Sequence, residues 1–274
     1  MSTTIQINMP YRILLNHVNV IAEKGLNPEI YLNSDTLDNY ALKDIRKIAK
    51  TLHDHNLTVT IHGPFMDLSP GGVDSMVRNV TVKRFSQALE AASHFHPGAV
   101  VLHGGYNRWY FNGNRKLWLE RSLLTWEPIL KKASKLKIPI AIENVFEEEP
   151  DTLQDLMEGL ADPFFGICFD SGHFHLFSRV SMKEWFDTLG KYFLELHLHD
   201  NNKSNDDHLP MGEGKINFNE FFHLLQQYSI KPIYTIEPHR IEDVERSLEA
   251  CCRYLGISGQ KTASFPPGIS ESLL

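Results

Sequence analysis

Short apolar runs alternate with longer amphipathic segments along nearly the whole chain. Short apolar runs bounded by turn residues predict buried strands, and apolar residues that recur every three or four positions predict helices. The predicted strands are residues 4–9, 28–32, 57–61, 99–102, 138–142, 164–169, 193–198 and 233–236. The predicted helices are residues 11–23, 41–55, 77–95, 119–133, 151–159, 181–189, 218–228 and 244–255.

These elements form eight strand–helix units without a break. Strands that alternate with helices indicate an α/β protein with a parallel sheet. Eight units in 274 residues predict a single (β/α)8 TIM barrel. A doubly wound open sheet is the alternative, but it would gather functional residues at one switch point instead of around a ring.

The barrel is expected to span residues 1–257. Residues 258–274 are rich in Ser, Gly and Pro and show no apolar period. This composition predicts a flexible or surface-draped tail. Phe265 and the two prolines after it are the one feature of the tail suited to anchoring it on a neighbour.

Histidines and acidic residues recur at the ends of the predicted strands. Six of the eight strands end on or near such a residue, and three more lie between residues 166 and 214. The nine candidates are His62, His103, Glu143, Asp170, His173, His197, Asp206, His208 and Glu237. Because functional groups of a barrel gather at the carboxyl ends of its strands, we expect these side chains to converge.

Converging imidazoles and carboxylates predict a metal centre. Glu143 and Glu237 would be costly to bury unpaired, and a divalent cation removes that cost. Imidazole ligands favour zinc, manganese or iron over calcium or magnesium. Nine ligands exceed the needs of one ion and suit two or three. Zinc is the first expectation and manganese the second.

Net charge, cysteine count and the length of apolar runs limit the class of protein. The net charge is −7, so the composition gives no sign of a nucleic-acid surface. Three cysteines, two of them adjacent, argue against a disulfide framework. The sequence has no apolar run long enough for a bilayer and no signal-peptide pattern at its start. A cytoplasmic protein without a membrane partner is therefore expected.

Seven short motifs carry a family resemblance. They are IHGPF, VLHGG, AIENV, CFDSGH, LHLHD, DDHLPMGEG and TIEP, in this order. Together they resemble the xylose isomerase-like TIM barrel superfamily, which includes sugar and sugar-phosphate isomerases and epimerases and the endonuclease IV-like enzymes of AP endonuclease family 2. The resemblance runs from the first strand to the last helix.

The resemblance implies a ligand set for each ion. A centre common to the family matches Glu143, Asp170, His197 and Glu237. In endonuclease IV, which cuts DNA at abasic sites with three zinc ions, a first ion matches His62, His103 and Glu143. A third ion matches His173, Asp206 and His208.

Three departures disfavour DNA cleavage. The second strand passes almost directly to the next helix through residues 33–39, with no inserted loop that could enter DNA. The histidine usual in the first strand of the family is missing. His199 stands where the nuclease has asparagine.

Three enzymatic interpretations follow. The first is hydrolysis of a phosphoester in a small molecule, with Glu143 bridging ions that activate water. The second is a sugar or sugar-phosphate isomerase or epimerase with one ion, in which Glu143 and Glu237 act as an acid/base pair. The third is endonuclease IV-like cleavage of abasic DNA. A non-enzymatic binding barrel would need a metal site closed by protein ligands.

Four residues outside the ligand set are candidates for substrate binding. Trp109 belongs to an aromatic cluster that could stack on a ring. Lys203 and Arg240 could bind a phosphate group. His239 lies next to the last strand, near the rim. Residues 147–149, three consecutive glutamates, are expected to form a solvated acidic loop. The oligomeric state and the substrate are not indicated.

Overall fold

Eight parallel strands form a closed barrel in which each strand pairs with the next and the last pairs with the first. The computed structural model describes residues 4–257. The strands are β1 Ile5–Pro10, β2 Asn27–Tyr31, β3 Thr60–His62, β4 Val100–His103, β5 Ile140–Glu143, β6 Phe165–Asp170, β7 Phe193–Leu198 and β8 Ile233–Ile236. The predicted single (β/α)8 TIM barrel is confirmed.

Helices connect the strands and cover the outside of the barrel. They are α1 Tyr11–Glu23, α2 Ser34–Asn39, α3 Leu42–Asp54, α4 Ser75–Ala92, α5 Arg115–Leu136, α6 Asp151–Leu160, α7 Ser171–Phe177, α8 Met182–Leu189, α9 Phe218–Gln227 and α10 Val244–Leu255. Short 3-10 helices, Gly190–Tyr192 and Ile241–Asp243, precede β7 and α10. No helix of the described residues is long and apolar enough to cross a membrane.

Two helices were not predicted from the apolar pattern. No helix was predicted at residues 33–39, but α2 forms there, with the Asn33 side chain accepting from the Thr36 N–H. Helix α7 begins directly after β6, where the Asp170 carboxylate accepts from the His173 N–H at 2.6 Å. Both helices are short, so side-chain caps define them more than an apolar face does.

The apolar core lies between the strands and the helices. Phe169 on β6 packs against Phe186 of α8 and Phe221 of α9, with ring centroids 5.9 and 5.8 Å apart. On the other side Phe85 of α4 stacks on Trp126 of α5 at 5.3 Å. These contacts bury the outward-facing residues of the strands and leave the inward-facing ones to fill the barrel.

The barrel interior is unusually polar below its mouth. Side chains alternate along a strand, so every second residue of β1, β2, β3, β7 and β8 faces inward. The Thr60 hydroxyl lies 3.0 Å from Glu195 Oε1 and 3.0 Å from Gln6 Oε1, and Asn8 donates to Glu29 at 2.7 Å. This hydrogen-bonded layer supports the residues at the mouth from below.

The end of β4 is held by a buried indole. Trp118 of α5 donates its Nε1–H to the carbonyl of Gly104 at 3.2 Å, directly after His103. Its ring lies so close to Gly71 that a Cβ atom at this position would overlap it. A Cβ atom at Gly104 would meet its nearest neighbour at 3.4 Å, which is ordinary contact.

We expect Gly71→Ala to destabilise the fold and Gly104→Ala to have a much smaller effect. Overpacking of a buried site typically costs about 1–3 kcal/mol. Thermal unfolding of the two variants and the parent measures the difference. Equal melting temperatures for the two variants would contradict the assigned position of the Trp118 ring.

Candidate metal centre

The nine predicted ligands lie together at the carboxyl ends of the strands. Each has an imidazole nitrogen or carboxylate oxygen within 4.0 Å of such an atom on at least one other member of the set. They come from the ends of β3 to β8, from α7 and from the loop between β7 and α9. The structure thus brings together side chains separated by up to 175 positions, from His62 to Glu237.

Glu143 lies at the centre of this group. Its Oε2 atom is 3.1 Å from Nε2 of His62 and 3.1 Å from Nε2 of His103. Its Oε1 atom is 3.0 Å from Nδ1 of His173. Both oxygens of one buried carboxylate therefore face imidazole rings, which is the arrangement expected of a ligand shared between ions.

His197 faces three carboxylates through one nitrogen. Its Nδ1 atom is 3.3 Å from Glu237 Oε1, 3.6 Å from Glu143 Oε2 and 3.8 Å from Asp170 Oδ2. This nitrogen is buried and makes no hydrogen bond in the described part of the chain. A cation among these four side chains would satisfy it, so the residues fit the four-ligand centre.

Asp206 joins two further histidines. Its Oδ2 atom is 3.1 Å from Nε2 of His208 and 3.4 Å from Nε2 of His173. His173, Asp206 and His208 therefore form a third group beside the four-ligand centre. This group comes from α7 and from a single loop.

Backbone carbonyls fix the tautomers of these rings. Nδ1 of His62 lies 2.9 Å from the carbonyl of Gly63, and Nδ1 of His208 lies 2.7 Å from the carbonyl of Glu237. An Nδ1–H that donates to a carbonyl leaves a lone pair on Nε2, and this is the usual outer contact of a metal-binding histidine. In both residues Nε2 points at a carboxylate, so a cation or a proton must lie between the two atoms.

The loop with the third group is anchored by Asp200. Its carboxylate accepts from the N–H groups of Gly212, Gly214 and Ile216 at 2.9–3.0 Å. Its backbone pairs in both directions with that of Leu209. The glycines of the GEG motif thus serve loop closure, because a Cβ atom at Gly214 would overlap the Asp200 carboxylate.

Burial and the imidazoles act in opposite directions on the acidic groups. Burial raises the pKa of Glu143, but His103 and His197 lower it more, so that its pKa lies well below the ordinary value. Burial raises the pKa of Glu237 to about 7. The pKa of Asp206 is lowered because His173 and His208 outweigh burial. The neighbouring carboxylates outweigh burial and raise the pKa of His62 to about 9, and they raise the pKa of His173 and His197 as well, whereas burial lowers the pKa of His103.

Three buried residues around the site were not among the predicted site residues. Glu29 on β2 places both carboxylate oxygens 3.3 Å from Nε2 of His197, and Glu195 lies two positions before this histidine. His199 places Nε2 3.0 Å from Asp170 Oδ2. The segment LELHLHD alternates leucine with polar residues, and this period of two was the signal that could have revealed Glu195 and His199.

The expected solvated loop at residues 147–149 is wrong for its first residue. Glu147 is 3% exposed, and its carboxylate accepts from the Val145 N–H at 2.7 Å. Burial raises the pKa of Glu147 to about 7. Glu148 contacts Arg108 and Arg179 at 2.7 and 3.0 Å, and Glu149 is exposed.

A cavity of about 430 Å³ opens above the ligands. His239 lines it and stacks on His208 with ring centroids 3.4 Å apart. Trp109 is 81% exposed and does not line it. Lys203 and Arg240 also lie outside its wall, and Arg240 contacts Asp243 at 2.8 Å. Their predicted role in substrate binding stays a prediction.

Aromatic side chains form one wall of this cavity. Phe65 stacks on His103 at 4.6 Å and on Tyr31 at 5.6 Å. Among the described residues that line the cavity there is no lysine or arginine. The cavity therefore combines an apolar wall with an acidic and imidazole floor.

Comparisons with known proteins identify the family of the barrel. Residues 27–254 match the family described as xylose isomerase-like TIM barrel. The uncharacterised protein MJ1311 of Methanocaldococcus jannaschii is 29% identical over 228 residues, which are 81% of this chain and 78% of that protein. A D-tagatose 3-epimerase-like protein is 25% identical with a TM-score of 0.78, over 92% of this chain and 97% of its own. The TTHB071 protein of Thermus thermophilus, soaked with ZnCl2, is 23% identical with a TM-score of 0.73, over 92% of this chain and 98% of its own.

We expect Glu29→Gln to weaken zinc binding and Glu195→Gln to leave it nearly unchanged. Glu29 orients His197 directly, and loss of such a partner typically lowers metal affinity about 10- to 100-fold. Glu195 keeps its bonds from Thr60 and Thr235 as a glutamine, and burial already holds its pKa well above the ordinary value. Chelator competition measures both affinities. Equal effects of the two substitutions on zinc affinity would contradict the role of Glu29 in orienting His197.

We expect Glu147→Gln to make the metal-free protein less sensitive to pH. A carboxyl group whose pKa is higher in the folded chain costs stability as pH rises from about 4.5 to about 7. At about 1.4 kcal/mol per pKa unit, the variant should gain roughly 2 kcal/mol over the parent between pH 5 and pH 7.5. Urea unfolding at both pH values measures this gain, with Glu149→Gln on the exposed side of the loop as control. The same difference in unfolding free energy between variant and parent at both pH values would refute the prediction.

Proposed function

We propose that this chain, which belongs to the xylose isomerase-like TIM barrel family, is a metal-dependent enzyme that hydrolyses a phosphoester in a small molecule. Two or three divalent ions, zinc first and manganese second, would be held by the nine residues at the mouth. The observation that carries the proposal is the position of Glu143 among three imidazoles.

The surroundings of Glu143 favour a bridging role over proton transfer. A catalytic base needs a free oxygen within reach of the substrate proton. Here His62 and His103 face one oxygen and His173 faces the other. A carboxylate engaged on both oxygens is better suited to link ions than to remove a proton from carbon.

The cavity itself is acidic, so an anionic reacting group would be bound by divalent ions held there and not by the protein's own charges. Its floor carries Glu143, Asp206 and Glu237, and no described lining residue is a lysine or arginine. Divalent ions in such a site activate water and stabilise charge on the oxygens of a phosphoryl group. The phosphate would therefore be bound at the ions, with no separate basic pocket for it.

Other residues of the chain would position the rest of the substrate. Tyr31 and Phe65 offer flat apolar faces beside the ligands, suited to the face of a sugar or another ring. Burial and the neighbouring His208 lower the pKa of His239 to about 3. His239 is therefore neutral at physiological pH and offers a hydrogen bond instead of a charge.

A sugar epimerase is the second candidate. The 25% identity and TM-score of 0.78 with a D-tagatose 3-epimerase-like protein favour it. In this reaction one ion would bind at Glu143, Asp170, His197 and Glu237, and the two glutamates would move a proton beside a carbonyl group. Cleavage of abasic DNA remains the least favoured, because no inserted loop follows β2.

We expect His208→Asn to lower phosphoester hydrolysis roughly 100-fold or more, since it removes a ligand of the third group. Protein loaded with zinc or manganese is tested on aryl phosphodiesters and monoesters. Deuterium incorporation from heavy water into ketoses, followed by NMR, tests the epimerase. His223→Asn, on the exposed face of α9, is the matched control.

The hydrolase and the epimerase predict different behaviour of the His208→Asn variant. An epimerase with a four-ligand centre would retain deuterium exchange in the His208→Asn variant and would bind one ion per chain. Absence of hydrolysis in the parent, together with such exchange, would reject the hydrolase. Glu143→Gln should abolish either activity.

A further inference from the structure

Large apolar side chains are exposed on two neighbouring segments beside the mouth of the barrel. They are seven of the twelve such side chains that are exposed in the described part of the chain. Single exposed apolar residues are ordinary, but a group of them on one surface marks an interaction site. The group, called the apolar patch below, consists of Met66, Val73, Met76, Val77, Val80, Trp109 and Tyr110.

Four members of the patch form a stripe along the first turns of α4. Their spacing of three, four and seven positions is the one by which a helix turns one face toward a core. Here that face points to solvent, since Met76 is 69% and Val80 is 50% exposed. The packed face of α4, which includes Phe85, lies further along the helix. The stripe consists of Val73, Met76, Val77 and Val80.

The two segments of the patch rest on a common support. The ring of Trp118 lies directly under Gly71 and also contacts the Tyr106 ring, with centroids 5.4 Å apart. A Cβ atom at Gly105 would meet the Pro70 ring at 3.0 Å. The loop before α4 and the loop after β4 are therefore in contact, and the patch is one continuous surface.

Hydrogen bonds to the backbone fix both segments. Arg78 donates to the carbonyl of Val73 at 2.8 Å, which holds the start of the stripe on the helix. Asn107 Oδ1 accepts from the N–H groups of Trp109 and Tyr110 at 3.0 Å each. Segments fixed in this way lose little conformational freedom on association, which suits exposed aromatic rings to the role of interface anchors.

We propose that the apolar patch is the interface of a homodimer, in which it packs against the same patch of a second copy of this chain. Its side chains together expose roughly 900 Å², and a standard interface covers about 800 Å² of each partner. Most homo-oligomers have a two-fold axis, which requires a surface that is complementary to itself. The stripe on α4 meets this requirement.

The self-complementarity of the stripe follows from its spacing. Two copies of α4 can pack antiparallel about a point midway between Met76 and Val77. Val73 then lies opposite Val80 of the partner subunit, and Met76 lies opposite Val77 of the partner subunit. Every pair is apolar, and the charged residues within this segment lie opposite uncharged ones, so like charges do not meet.

The dimer would also border the metal site. Met66 belongs to the patch and lines the cavity above the candidate ligands. A second copy would therefore narrow the entrance of the cavity on this side. The inference goes beyond the proposed function and does not depend on the reaction.

The test measures the mass of four proteins by sedimentation at micromolar concentrations. We expect the parent to have about twice the 31.4 kDa of one chain. Met76→Asp and Val80→Asp each enter the interface twice and should weaken association at least about 100-fold, which gives monomers. Leu15→Asp is the matched control, because this side chain on α1 is 44% exposed outside the patch, and it should remain a dimer.

Both variants of the patch should keep the fold of the single chain. Their side chains are exposed in one copy, and position 76 lies in the first turn of α4, where the helix dipole favours a negative charge. Circular dichroism checks the fold. A monomeric parent, or a dimer that persists in both variants, would overturn the proposal. A monomeric parent that binds phosphatidylcholine vesicles would assign the patch to a lipid surface instead.

Trp109 reports on the interface directly. It is 81% exposed, whereas Trp118, Trp126 and Trp185 are fully buried, so acrylamide should quench mainly Trp109. We expect quenching in the parent dimer to be several-fold weaker than in Val80→Asp, and Trp109→Phe to remove this difference. Equal quenching in the parent and in Val80→Asp would overturn the assignment of Trp109 to the interface. Neither measurement needs metal or substrate, so failure here is distinct from failure of the proposed function.

Discussion

The removal of carboxylates from water is the constraint on which this structure depends. Glu29, Glu143, Asp170 and Glu195 are almost completely buried in or above the barrel, where an isolated charge would be prohibitively costly. No described lysine or arginine lines the mouth, so the carboxylates there face imidazoles instead. The deeper layer depends on hydroxyl and amide donors from Thr60 and Asn8. The barrel therefore has an acidic interior whose upper part is paired with imidazoles and suited to binding cations.

The same constraint explains why the geometry at the mouth is so well defined. Every second residue of a strand faces inward, and the paired parallel strands hold these positions in register. Backbone carbonyls orient His62 and His208, and Glu29 orients His197. The family assignment and the similarity to a D-tagatose 3-epimerase-like protein concern the barrel. The three groups of candidate ligands are a feature of this chain's own side chains.

The sequence was most informative where apolar runs ended. The runs located the strands, and the polar residues after the runs located the candidate ligands, because the barrel closes all strand ends into one ring. It was less informative where the decisive contact is local. Asp170 begins α7 by accepting from a backbone N–H, and Glu147 becomes buried by accepting from Val145. Such bonds depend on a turn of the backbone that composition does not reveal. The inward position of Glu29 also needed the register of β2, which a short run of five residues leaves open.

The loop closed by Asp200 and the strands of the barrel supply different groups of candidate ligands. The four-ligand centre draws on β5 to β8, so it exists only when half of the barrel is assembled. Asp206 and His208 instead come from one surface loop whose closure is secured by three backbone N–H groups on a single carboxylate. Substitutions confined to that loop would change the group formed by His173, Asp206 and His208 while leaving the side chains on β5 to β8 in place.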